Sequence, residues 1–131
     1  MSSRKIEDLG SRMQVLARAF AVKMAEDGVP FIFTCTRRTQ AEQNKLYAQG
    51  RTKPGRIVTW TKKSKHIDGL AFDIAVCTKD MKPHWDLKVD VDADGIPDYE
   101  EAGKIGESVG LVWGGRWKTP DYPHFELPSG Q

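Results

Sequence analysis

Residues 70–77 read Leu-Ala-Phe-Asp-Ile-Ala-Val-Cys, and no other stretch of the chain limits the fold as tightly. Strict alternation puts Leu70, Phe72, Ile74 and Val76 on one face of a strand and Ala71, Asp73 and Ala75 on the other. The large apolar face must be covered by other elements, so this strand belongs in a sheet packed under helices. Asp73 stands mid-strand between alanines, where a carboxylate is costly to hold unless other groups answer its charge.

The rest of the chain supplies the cover. Ile6, Leu9, Met13, Leu16, Ala17, Phe20 and Met24 recur at three- and four-residue steps, which predicts an amphipathic helix ending at Asp27-Gly28. After Pro30, Phe31 to Cys35 has the period and β-propensity of a short strand, with Phe31, Phe33 and Cys35 on one face. Thr39 and Glu42 have capping-box spacing at the head of a helix reaching Gly50. Residues 51–65 form a basic loop or hairpin with a brief β-like Ile57-Val58-Thr59-Trp60. Helix is predicted again from Asp98 to Val109, then a short strand at Leu111-Val112-Trp113 closed by Gly114-Gly115, and a last strand from His124 to Leu127. This order predicts an α+β domain with a small antiparallel sheet.

At 131 residues the chain, 1–131, is expected to be one domain. A 39% hydrophobic share with four Trp and five Phe excludes disorder as the main state. No apolar run nears the roughly 20 residues that span a bilayer, so no membrane insertion is expected. Met1-Ser2-Ser3-Arg4-Lys5 leads into a charged amphipathic stretch rather than a signal peptide, which implies synthesis in the cytoplasm. Cys35 and Cys77 form no CxxC pair and read as small buried residues. The net charge of +2 hides an asymmetry: up to His66 there are 14 Lys and Arg against 5 Asp and Glu, and beyond it 6 against 13. Nucleic-acid binding through Lys62-Lys63-Ser64-Lys65 has no supporting motif, and solvated faces of mixed sign account for the asymmetry.

Three histidines are present, and two have suggestive settings. His66 and Asp73 would be about 23 Å apart on a straight strand, but Gly69 permits a positive-φ turn that folds His66 back beside Asp73. Pro123 leads His124 into the final strand opposite Phe125 and Leu127, with Asp121 just upstream. A single histidine is more often structural than a ligand. Two imidazoles and one carboxylate together, however, form a His₂-carboxylate set suited to catalytic zinc with a position left for water, and Asp121 would be free to act on that water.

The blocks Ser64-x-His66-x-x-Gly69-x-Ala71-x-Asp73, Trp113-Gly114-Gly115 and Asp121-x-x-His124-Phe125-Glu126-Leu127 resemble the zinc peptidases of the D-alanyl-D-alanine carboxypeptidase and L-alanyl-D-glutamate endopeptidase family. The likeness extends back through Thr36 to Gln43 and Leu46 to Gly55. It implies the Hedgehog/DD-peptidase-like zinc peptidase fold, Zn2+ held by His66, Asp73 and His124, and Asp121 as the catalytic acid/base. Arg38 matches the arginine that faces the scissile carbonyl, although Arg37 precedes it where the family usually has an aromatic residue. Ser64 and Gln43 match substrate-contacting positions. The implied partner is bacterial peptidoglycan, cut by a monomer that reaches the wall after release, as phage endolysins do. An L-alanyl-D-glutamate endopeptidase is the first reading; a D-alanyl-D-alanine carboxypeptidase of bacterial wall remodelling and a non-catalytic, calcium-dependent wall-binding module are the alternatives.

Separately, Asp90, Asp92, Asp94, Asp98 and Glu101 occupy positions 1, 3, 5, 9 and 12 of an EF-hand-like loop with Gly95 at position 6, a candidate Ca2+ site. Pro97 at position 8 argues against a paired EF-hand and for a single Asp-rich calcium loop. His84 lies in a Pro-flanked loop and is expected to be a surface or structural residue.

Overall fold

The structure is a computed structural model that describes residues 2–59 and 61–129. Helix α1 spans Ser11–Glu26, α2 Gln40–Ala48 and α3 Asp98–Ser108. Strands β1 (Phe31–Cys35), β2 (Ala71–Cys77), β3 (Pro83–His84), β4 (Val112–Trp113) and β5 (His124–Glu126) form one antiparallel sheet. The order is β1-β2-β5-β4, with β3 added at the end of β2. The strand whose alternation was strongest is therefore central.

Its large face makes the core. Phe72, Ile74 and Val76 are fully buried with Met13, Phe20 and Met24 of α1. Phe72 stacks on Phe125 at 5.3 Å, and Phe20 meets both rings at 5.3 and 5.0 Å. Helix α3 packs beside α1 on the same core, so close that a Cβ on Gly103 would run into the Trp113 ring and one on Gly106 into Phe125. Tyr99 ties α3 to the sheet, donating from its hydroxyl to the His84 carbonyl at 2.5 Å and accepting from the Val76 amide at 3.3 Å.

The predicted helix over 6–24 is broken. A 3-10 turn at Ile6–Asp8 precedes α1, and Gly10 between them is extended (φ −59°, ψ 154°). The break lets the Gly10 amide donate to the Gly69 carbonyl at 3.1 Å, which pins the turn carrying His66. Thr39 makes the full capping box expected of it: its hydroxyl accepts from the Glu42 amide at 3.1 Å and its amide donates to the Glu42 carboxylate at 2.9 Å. Residues 57–59 form no strand, and Trp60 lies outside the described residues. His84 is in the short strand β3 rather than a loop, half-buried against Tyr99. Both cysteines are buried and free. Among the described residues no helix is long and apolar enough to cross a membrane.

Candidate active site

Asp73 projects from the small face of β2, and the topology places a histidine on each of its oxygens. Register pairs Asp73 directly with His124 of β5, and the His124 Nδ1 lies 3.0 Å from Asp73 Oδ1. From the other side, His66 Nε2 lies 3.3 Å from Asp73 Oδ2. The turn that returns His66 has Gly69 at φ 72°, and a Cβ there would sit 2.7 Å from the Gly10 amide nitrogen, so only glycine fits. The two imidazoles meet edge to face with centroids 5.2 Å apart.

Each ring is also held from behind. His124 Nε2 is 2.9 Å from Glu126 Oε1, and Lys65 reaches the other Glu126 oxygen at 2.6 Å. His66 Nδ1 is 3.5 Å from Cys35 Sγ. Cys35 arrives there through a β-bulge: Phe33 pairs with Ile74, yet Cys35 rather than Thr34 pairs with Asp73. The bulge turns Cys35 from the face it would share with Phe31 and Phe33 to the face of Asp73. Cys35, His66 and Asp73 bring one ligand-type atom each within 4.8 Å of one another. The two nitrogens of one imidazole point away from each other, however, so an ion on the Nε2 side between His66 and Asp73 is out of line with Cys35 on the Nδ1 side.

The electrostatics follow from these contacts. Burial opposes charge on His66, but hydrogen bonds to Asp73 and Cys35 carry its pKa up to about 9. Burial likewise opposes charge on His124, and Asp73 with Glu126 lifts it to about 9. Burial would raise the Asp73 carboxyl, yet the hydrogen bonds from His124 and His66 hold it well below the usual carboxylate range. Asp121 moves the other way, raised by desolvation in the cavity and by the charge of Asp73.

These groups line a cavity of about 920 Å³ together with Arg38, Ser64, Lys65 and Trp117. The Trp113-Gly114-Gly115 block explains how Asp121 is held: the Asp121 amide donates to the Gly114 carbonyl at 2.9 Å, and a Cβ on Gly114 would collide with the Asp121 backbone oxygen. Asp121 in turn accepts the His124 amide on its carbonyl at 3.2 Å. Arg38, not Arg37, lines this cavity. Its Nη1 donates to Gln43 Oε1 at 2.8 Å, and its amide donates to the His66 carbonyl at 3.1 Å. Ser64 accepts the His66 amide at 3.2 Å.

Gln43, expected at a substrate-contacting position, is not among the residues lining this cavity. It is completely buried, with its amide nitrogen donating to the Thr61 carbonyl at 2.7 Å and its oxygen taken by Arg38. Its role in this arrangement is to orient the guanidinium. Glu126, Lys65, Cys35 and Trp117 are the cavity and backing residues that sequence reasoning passed over. Glu126 had a signal, since two residues after His124 it must share that strand face. Trp117, with its ring 5.1 Å from His124, follows the Trp-Gly-Gly block in an irregular segment and had none.

Away from this cavity, the acidic loop is closely gathered. Asp90, Asp92 and Asp94 offer oxygens within 4.8 Å of one another, and so do Asp92, Asp98 and Glu101. Burial and the neighbouring Asp94 and Asp92 push the Glu101 carboxyl up to about 8.

An antiparallel sheet that presents two imidazoles around one carboxylate, with an arginine and a second carboxylate on the same cavity wall, defines a metallopeptidase type of site. The chain belongs to the D-alanyl-D-alanine carboxypeptidase family, a family of zinc-dependent peptidases, whose model matches residues 58–127. It is 39% identical over 123 residues to the peptidoglycan L-alanyl-D-glutamate endopeptidase CwlK of Bacillus subtilis, a match covering 92% of this chain and 74% of that one. Its fold is similar to the crystal structure of the Serratia marcescens L-Ala D-Glu endopeptidase ChiX, with a TM-score of 0.71 at 21% identity, over 98% of this chain and 89% of that one.

Proposed function

We propose that the protein is a zinc-dependent L-alanyl-D-glutamate endopeptidase acting on the stem peptides of bacterial peptidoglycan, with His66, Asp73 and His124 as metal ligands. The observation that carries this reading is the sharing of one Asp73 carboxylate by His66 Nε2 and His124 Nδ1, at 3.3 and 3.0 Å. Each of these nitrogens is near enough to the Asp73 carboxylate for the pair to act as neighbouring ligands of one ion. Each ring keeps its other nitrogen on a backing group, Cys35 or Glu126, as metal-binding histidines do.

When bound, zinc supplies a Lewis acid for the scissile carbonyl and brings water within reach of deprotonation near neutral pH. Asp121 accepts the proton of the attacking water and returns it to the leaving amine. Its raised pKa makes it a stronger base than an ordinary aspartate. Arg38, fixed by Gln43, donates to the carbonyl oxygen as negative charge develops there, a contribution of roughly 3 kcal/mol for a single such donor. Lys63 and Lys118 on the cavity wall complement the free carboxylate of a D-glutamyl residue.

Asp121→Asn is expected to retain zinc by elemental analysis while losing at least 100-fold in wall hydrolysis, and His66→Ala to lose both. Full hydrolysis by Asp121→Asn would remove Asp121 from the mechanism. Mass spectrometry of digested peptidoglycan decides the bond: new L-alanine carboxyl ends support the endopeptidase, whereas release of free D-alanine alone replaces it with a carboxypeptidase.

A further inference from the structure

We propose that the loop from Asp90 to Glu101 is a calcium site, with Asp90, Asp92, Asp94, Asp98 and Glu101 as its ligands. Asp92 belongs to both of the close carboxylate trios, so the five acids converge on one region rather than two. Glu101 is only 7% exposed, and among the described residues its Oε1 is buried with no hydrogen-bond partner. The Asp92 Oδ1 is buried and unpartnered in the same way. A buried carboxylate oxygen is normally satisfied, and two orphaned ones within the same acid cluster mark a position for a cation.

The other acids of the loop accept backbone amides, which fixes the loop's path around the cluster. Asp90 folds the loop around itself, accepting the Gly95 amide at 2.8 Å and the Asp94 amide at 3.3 Å. Asp94 accepts the Ile96 amide at 2.8 Å, and Asp98 accepts the Val91 amide at 3.0 and 3.1 Å. Carboxylate oxygens alone, without sulfur or imidazole, select a hard cation, and a ring of five acids with irregular spacing suits the six to eight ligands of calcium better than the strict octahedron of magnesium. Asp98 and Glu101 lie in the first turn of α3, the helix that packs through Gly103 on Trp113 and through Gly106 on Phe125. The ion would brace the start of this helix against the sheet that bears His124.

The test is calorimetric titration of the purified full chain, first saturated with zinc, with calcium chloride. Binding of one calcium per chain is expected, with a dissociation constant between about 10⁻⁶ and 10⁻³ M, together with a melting temperature raised by about 10 °C at a hundredfold excess over that constant. Asp92→Asn should weaken binding at least tenfold. Asp94→Asn, at an exposed position outside the core, should weaken it in the same direction without loss of fold. No heat and no melting shift at about 10 mM calcium, variants that bind like the parent, or equal binding of magnesium would each overturn the assignment. None of these readouts depends on peptidase activity, so the histidine site and this loop stand or fall separately.

Discussion

Loading the metal-free protein with zinc at pH 7 is expected to release about two protons from His66 and His124. Both rings have pKa values of about 9 in the metal-free site, because Asp73 between them favours the charged forms despite burial. At pH 7 each is then about 99% protonated, and each must lose its proton to offer a lone pair. Histidines at the ordinary value of about 6.5 would be only about 24% protonated, and the pair would release about half a proton. Ionisation of a zinc-held water with a pKa near 7 adds roughly half a proton in either case. Titration calorimetry in buffers of different ionisation enthalpy reads the total directly, and it should come to about 2–2.5. The apparent zinc affinity should also climb about 100-fold per pH unit below pH 8, as expected for two displaced protons. A release of one proton or fewer would refute the idea that Asp73 holds both rings charged before metal arrives.

Glu126→Ala removes the group behind His124 Nε2 and should weaken zinc about 10- to 100-fold in chelator competition, with an unchanged constant arguing that Glu126 merely fills the strand face. Gly103→Ala puts a methyl against the Trp113 ring, and overpacking of about 1–3 kcal/mol exceeds the helix-propensity gain of about 1 kcal/mol. Its melting temperature should fall by several degrees, and a melt equal to the parent's would mean that α3 can slide without cost.

The strands and helices were legible where local chemistry decided them. The alternation through Phe72, Asp73 and Ile74, the Thr39 capping box and the positive φ demanded of Gly69 all act over a few residues, and each predicted its element. What stayed hidden depends on partners far away in sequence. Gly10 interrupts a good helical pattern because its amide is wanted by the Gly69 carbonyl. The bulge at β1 reverses Cys35, and nothing in Phe-Ile-Phe-Thr-Cys announces which residue will stand opposite Asp73. Gln43 sits near the arginine in sequence, but only the fold buries it beneath the guanidinium. The site's polar face was readable; its supporting contacts were not.

Because Asp73 and His124 are opposite neighbours on adjacent strands, correct zipping of β2 to β5 and assembly of the donor set are a single event. A slip of one residue would turn His124 toward the aromatic core and bring Phe125 round to face the aspartate. Under the proposed zinc reading, metal capture would double as a proofreading step for the sheet: chains annealed out of step would have nowhere to put the ion, and those annealed correctly would be locked by it.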